Sequence, residues 1–425
     1  MILTTTAVFL IAYAFIASEK FSRMTIVSVG AAVMFLIGAT DTDSAFYSHE
    51  TGVDWNVIFL LLGMMIIVSI IHKTGLFEYL AVKSIKSVNG NVKYGFVLIL
   101  LLVAFASALL DNVTTVMLAV PMTFLIAKYL NVNPIPFILG EIFVSNIGGA
   151  ATLIGDPPNI IIGSKVGLTF NQFLVNMGPI VLLVLLVVIP LLVFMFRKQL
   201  VNTPEDRAKI SELAPIEFIT DKALLKKSLY VLSAVVIAFV LHSIVHIEPA
   251  VVAMIGAGVL VFISKAKPAE FTKDIEWETL IFFAGLFIMV GALVEVGALQ
   301  IAAEFLAEKT GGDASLAATM LVLASALISG IVDNIPYVTS MIPVVQVLED
   351  SIPTITNDGL WWALAIGADF GGNLTIVGAS ANVVATGIAY ANGHKITFGQ
   401  FFKYGLPVTL VSIIISLPYV LIRYF

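Results

Sequence analysis

The sequence predicts an all-α polytopic membrane fold. It is expected to consist of two inverted-topology repeats, each with a re-entrant hairpin and a broken helix, giving about ten net crossings plus the hairpins. Three observations lead there. The 425 residues are 59% hydrophobic and 12% charged, where an ordinary soluble chain carries about 25% charged residues. Apolar runs long enough for a hydrocarbon core of about 30 Å recur along the whole length. Finally, the second half of the chain repeats the first.

The runs begin near residues 3, 24, 55, 93, 113, 135, 172, 228, 249, 277, 314, 334, 359, 378 and 398, and several are short or interrupted. The first has no basic n-region and is expected to be kept as a span. "LFEYLAVKSIKSVNGNVK", from residue 76, reads as an interfacial helix with snorkelling lysines. The main hydrophilic connection, residues 197–227, carries seven basic residues. Loops rich in lysine and arginine stay cytoplasmic, so this linker is placed inside. The segments 18–23, 73–93 and 265–276 then fall on the same side, and the acidic loop 39–54 and both termini fall outside. That orientation leaves only Lys165, Lys309 and Arg423 of the 22 basic residues outside.

"DWNVIFLLLGMMIIVSII" from Asp54 returns as "EWETLIFFAGLFIMVGAL" from Glu276, a shift of 222 that also carries Asp111, Asn112 and Pro121 onto Asp333, Asn334 and Pro343. A shift of 223 carries "GGAATLIGDPPN" onto "GGNLTIVGASAN", and one of 228 carries "TFNQF" onto "TFGQF". The expected units are therefore 1–196 and 228–425, joined by the linker 197–227. Each copy holds three spans, two arms meeting at an Asp-Asn pair, an interrupted span and a last span. An odd number of net crossings inverts the second copy. Inverted repeats with interrupted helices at midplane point to a secondary transporter and to its binding site.

Four stretches concentrate the intramembrane polar groups: "DNVTT", "SNIGGAATLIGDPPN", "DNIPYVTS" and "ADFGGNLTIVGASAN". An ionised carboxylate at the bilayer centre costs about 2.5 to 3.5 kcal/mol on insertion scales, so Asp111, Asp156, Asp333 and Asp369 need a reason. Asp111 and Asp333 could cap the half-helices that follow them. Capping alone leaves the adjacent asparagines, Thr114, Thr115 and Thr339 unexplained. The alternative is a wet cavity in which carboxylates hold a cation or a proton, with Na⁺ at Asp111 and Asp333. Asp156 maps onto Ala379 and Asn146 onto Asp369, so the site is expected to be asymmetric. Glu141 and Glu295 read as helix-end or cavity-facing residues. The five histidines show no metal-ligand spacing, and the absence of cysteine excludes disulfides and thiolate sites.

At "DNVTTVMLAVP", "SNIGGAATLIGDPPNIIIG", "DNIPYVTSMIP" and "GGNLTIVGASANVV" the chain resembles the ion transporter superfamily. Within it, the chain resembles the branch holding the arsenical pump membrane protein, the sodium/proton antiporters grouped with it and the melanosomal P protein. The resemblance covers essentially the whole chain. It implies a dimerising scaffold domain and a transport domain that moves as an elevator. It also implies transport-site roles for Asp111, Asn112, Thr114, Thr115, Asp156, Asn159, Asp333, Asn334, Asn373, Ser380 and Asn382, beside the Asn146 and Asp369 found from the repeat. The related dicarboxylate and citrate symporters have Ser-Asn-Thr where this chain has Asp-Asn-Val and Asp-Asn-Ile, which ranks their substrates low.

The resemblance implies export of arsenite or antimonite in exchange for protons from the inner (plasma) membrane, the alternative being sodium/proton antiport. No cofactor and no nucleic-acid partner are expected. An enzyme is not expected either. No phosphate loop of the form Gly-x-x-x-x-Gly-Lys-Ser/Thr occurs, so energy must come from an ion gradient or a separate ATPase subunit. An intramembrane aspartyl protease would need Gly-x-Gly-Asp, but Leu153 stands where the first glycine belongs.

Overall fold

In a computed structural model, which describes residues 1–18, 20–352 and 357–425, the apolar runs become helices. Residue 19, within the expected cytoplasmic turn 18–23, lies outside the described residues. The first half contains α1 (Ile2–Ser18), α2 (Arg23–Leu36), α3 (Thr42–Tyr47), α4 (Trp55–His72), α5 (Leu76–Ser87), α6 (Val92–Leu109), α7 (Asn112–Leu130), α8 (Ile135–Gly149), α9 (Pro157–Val166) and α10 (Phe170–Phe196). The linker forms α11 (Pro204–Glu212). The second half contains α12 (Lys222–Val245), α13 (Pro249–Ser264), α14 (Pro268–Phe271), α15 (Trp277–Glu295), α16 (Ala298–Thr310), α17 (Ala314–Ser329), α18 (Asn334–Ser351), α19 (Gly359–Gly371), α20 (Ser380–Ala391) and α21 (Phe398–Tyr424).

The helix starts follow local chemistry. Asp221 accepts from the amides of Ala223 and Leu224, so α12 begins at Lys222 rather than at the run near 228. The repeated Thr-Phe-x-Gln motif is an N-cap in both copies: Thr169 Oγ1 accepts from the Gln172 amide and Thr397 Oγ1 from that of Gln400, each at 3.2 Å. Prolines 179 and 190 inside α10 recur as 407 and 418 inside α21.

Seven described helices, α4, α6, α7, α10, α12, α15 and α21, are long and apolar enough to cross alone. The larger number expected from sequence includes crossings assembled from short pieces. In the broken pairs α8/α9 and α19/α20, neither member is long enough by itself. Residues 136–149 of α8 and all of α19 are buried. These helices are surrounded by protein, the setting in which broken backbone is tolerated at membrane depth.

The two halves hold their broken helices with matching bonds. Ser107 Oγ donates to the Ser145 carbonyl and Ser329 Oγ to that of Ala368, both at 2.7 Å. Thr152 Oγ1 donates to the Ala108 carbonyl at 2.6 Å and Thr375 Oγ1 to that of Gly330 at 2.7 Å. Close approach is enforced by glycine. A Cβ on Gly148 would sit 2.3 Å from the Ala104 carbonyl oxygen, and one on Gly371 2.6 Å from that of Ala326. The halves also interlock, with α7 packing on α20, α9 on α18, α4 on α13 and α2 on α15.

Candidate functional site

Only Leu110 and Asp111 separate α6 from α7, and residues 330–333 separate α17 from α18. The polar pairs therefore sit at the tips of two hairpins, as the sequence predicts. Asp111 accepts from the Thr114 amide at 2.7 Å and Asp333 from the Ile335 amide at 3.0 Å. Both aspartates cap their helices, so the simpler expectation holds for each, and in Asp333 it is one of several bonds.

Asp156 behaves differently. It occupies the N-cap of α9 but makes no side-chain capping bond: Pro157 and Pro158 have no amide hydrogen to offer, and the Asn159 amide goes to the Asp156 backbone carbonyl at 3.1 Å. Its carboxylate is left for other donors. Asn112 Nδ2 reaches it at 2.8 Å and Asn334 Nδ2 at 3.4 Å, one from each half of the chain. Asn112 Nδ2 also lies 3.1 Å from Asn146 Oδ1. Asn146 then donates to Asn373 Oδ1 and Asn382 Oδ1, both at 2.9 Å. Asn373 continues to the Phe143 carbonyl at 3.3 Å. Asn382 donates to the carbonyls of Gly372 and Thr375 at 2.7 and 2.8 Å. Its repeat partner Asn159 does the same to Ala150 and Thr152, at 3.3 and 3.1 Å. These asparagines satisfy carbonyls freed where α8 and α19 end.

Asp333 is fully buried. Its Oδ2 accepts from Ser380 Oγ at 2.7 Å and from Arg23 Nη1 at 2.5 Å. Asp369 is also buried and lies against Asn159. Both amide hydrogens of Asn159 are already directed to backbone carbonyls, leaving none for the carboxyl. Among the described residues, both Asp369 oxygens, Asn159 Oδ1, Asn112 Oδ1 and Thr115 Oγ1 are buried without a hydrogen-bond partner. Asp111, Asp333 and Asp369 are all close enough to act electrostatically on Asp156.

The structure thus gathers twelve of the expected site residues into one interior cluster. Thr114 stands at its edge, contributing its amide to the Asp111 cap. Sequence reasoning missed two further participants. Arg23 was counted only as an orientation marker, yet it reaches the site from α2. Glu276, read only as the start of the repeat, lies within electrostatic reach of Asp111. Both line a cavity of about 680 Å³ with Ser380, Val113 and Val384. A second cavity of about 640 Å³ is lined by Thr339 and Ile161, the repeat counterparts of Met117 and Val384 in the first. Glu141 corrects an expectation: it is neither at a helix end nor facing a cavity but fully buried in α8, accepting from Thr123. Glu295 does end α15, exposed and accepting from Thr40.

Comparison with known proteins agrees with this architecture. A Mycobacterium tuberculosis protein described as an uncharacterized transporter is 48% identical over 98% of both chains. The P protein of Homo sapiens is 33% identical over 99% of this chain, which spans 59% of that protein's length. The crystal structure of the Alcanivorax borkumensis YdaH transporter, described as having an unusual topology, superposes with a TM-score of 0.60. It covers 93% of this chain and 88% of its own at 14% identity, a likeness of fold. Residues 13–367 match the family described as CitMHS, citrate transporter, and the chain belongs to this family of membrane transporters within the ion transporter superfamily.

Proposed function

We propose that the chain is a secondary exchanger that exports a small cation, Na⁺ in the first instance, against protons at the carboxylate cluster of Asp156, Asp333 and Asp369. The observation that carries this reading is the two unpartnered, buried oxygens of Asp369 with the unpartnered Oδ1 of the neighbouring Asn159. Hard cations are held by oxygen ligands, and a proton on a carboxyl satisfies an acceptor such as Asn159 Oδ1 equally well. Charge supports the same reading. Helix N-termini of α7, α9, α18 and α20 meet C-termini of α6, α8, α17 and α19, so their partial charges of about half a unit each largely cancel. Among the described residues of the cluster, the four carboxylates are met by the Arg23 guanidinium, and a transported cation or proton supplies further positive charge.

Arsenite or antimonite export is the second reading, favoured by the likeness to the arsenical pump branch. The three hydroxyls of neutral arsenite would donate to the same oxygens, but its arrival leaves the carboxylate charge uncompensated. Free citrate, named in the family description, would add three negative charges beside Asp156 and Asp333 and ranks below both. With the exchanger reading go an elevator movement, a homodimer formed through the scaffold, and a plasma-membrane location. The units 1–196 and 228–425 are joined by a cytoplasmic linker, 197–227, and both termini lie outside.

The test uses everted vesicles with an imposed pH gradient, to which Na⁺, arsenite, antimonite and citrate are added in parallel. Dissipation of the gradient by Na⁺ alone is the expected result. Gradient-dependent arsenite movement without a Na⁺ response moves the assignment to the second reading, and a response to citrate alone removes both.

A further inference from the structure

We propose that Arg23 is a coupling latch. It grips the ionised, unloaded Asp333 and so ties the α17/α18 hairpin and α20 to α2 until a cation or proton neutralises that carboxylate. The inference rests on the exchanger reading above and names a residue that enforces it.

The geometry is a closed triangle. Arg23 Nη1 lies 2.5 Å from Asp333 Oδ2 and 2.8 Å from Ser380 Oγ, while Ser380 Oγ lies 2.7 Å from the same Asp333 oxygen. The three residues come from different elements: the first turn of α2, the N-cap of α18 and the first turn of α20. Helix α2 packs on α1 and α15, outside the broken helices that build the site. The pair therefore bridges the polar cluster and the helices around it.

Its position suits release. The Asp333 side chain is wholly buried and that of Arg23 is 18% exposed, on the wall of the 680 Å³ cavity. A hydrated cation in that cavity meets the guanidinium before the carboxylate. Other charged or titratable groups around the pair are Tyr13 on α1, Asp156 at the start of α9, and Glu276 and Glu278 at the cavity wall on α15. None of these named groups is cationic, and the positive charge that meets Asp333 is that of Arg23.

Among the described residues, the other half of the chain shows no such triangle. Asp111, the repeat partner of Asp333, keeps its backbone cap, and Glu276 lies within its electrostatic reach. Pro157 stands where the repeat aligns Ser380, so no hydroxyl could complete the triangle. An exchanger needs one such asymmetric restraint. If the empty protein could switch between its two faces, cation and proton would each leak down their own gradients. A tethered cation that binds only the empty carboxylate prevents this, because loading removes the charge that it holds.

The chain has no cysteine, so Val384→Cys places a single thiol in the cavity. Its rate of modification in the purified full chain reports the opening of the contact between α2 and α20. Arg23→Gln and Asp333→Asn are each expected to change that rate at least about threefold in the same direction. The double variant should go no further, and Arg23→Lys should keep the original rate. In proteoliposomes, Arg23→Gln should raise Na⁺ flux in the absence of a pH gradient about tenfold, and Arg23→Lys should restore dependence on the gradient. Unchanged thiol modification in Arg23→Gln, or additive effects with Asp333→Asn, overturns the latch. So does an unaltered leak in a protein whose parent exchanges Na⁺ for protons. A parent that transports no solute tested defeats the exchanger reading and the coupling role with it, while thiol modification still decides whether the pair restrains the cavity.

Discussion

Asp156 joins the two halves of the molecule through single atoms, since its carboxylate takes an amide hydrogen from Asn112 and another from Asn334. Asp156→Ala removes the acceptor of Asn334 Nδ2 and leaves Asn112 Nδ2 with Asn146 alone, in a buried place where each orphaned polar group costs about 1 to 3 kcal/mol. The variant is expected to unfold at a clearly lower temperature in detergent and to lose exchange. Asp156→Asn keeps an acceptor and the side-chain volume, so it should lose exchange with a smaller change in thermal unfolding. Wild-type stability in Asp156→Ala would mean that the asparagines do not depend on this carboxylate. The role of Asp156 was partly legible, because in "GDPPN" the two residues after the aspartate are prolines with no amide to donate. The role of Arg23 was not. Its partner lies 310 residues away, and a lone arginine before an apolar run carries the same local signal as any orientation marker.

Among the elements, the hairpins and broken helices were legible because glycine, proline and paired polar residues interrupt otherwise uniform apolar runs. Helix α16 was not given a place of its own, since Glu304, Glu308 and Lys309 break its apolar pattern. The structure makes it the counterpart of the amphipathic α5, each following an αL glycine, Gly75 and Gly297. Which glycines matter is decided by packing, which periodicity does not show. Gly148 and Gly371 lie against the backbones of α6 and α17, whereas Gly387, inside α20, has open space around its missing Cβ. Gly148→Val and Gly371→Val are therefore each expected to destabilise the protein by about 1 to 3 kcal/mol, and to similar degrees. Gly387→Ala should be neutral or stabilising by up to about 1 kcal/mol, through helix propensity. Thermal unfolding of the three variants checks this, and equal behaviour of Gly387 and Gly371 would break the argument from close approach.

Across the whole molecule, the contacts pair segments that the charge count assigns to one side. The linker lies along residues 73–93: Lys86 Nζ donates to the Leu213 carbonyl at 2.6 Å, Asn202 Nδ2 to that of Gly90 at 2.9 Å, and the Thr220 amide to that of Thr74 at 3.0 Å. Ser69 Oγ reaches Asp274 at 2.7 Å and Lys73 reaches Glu270 at 3.5 Å, bringing in residues 265–276. On the opposite side, Lys165 donates to the His49 carbonyl at 2.9 Å, beside the acidic loop 39–54. These contacts show which segments lie together, and the proposed cytoplasmic linker would put that group inside. A protease site inserted within residues 200–215 should therefore resist protease added to intact cells and be cut once the membrane is opened. One inserted within residues 39–54 should be cut from outside. Cleavage of the first site in intact cells would invert the molecule as a whole, because the contacts move all the basic segments together, and the cavity beside Arg23 would then open outward.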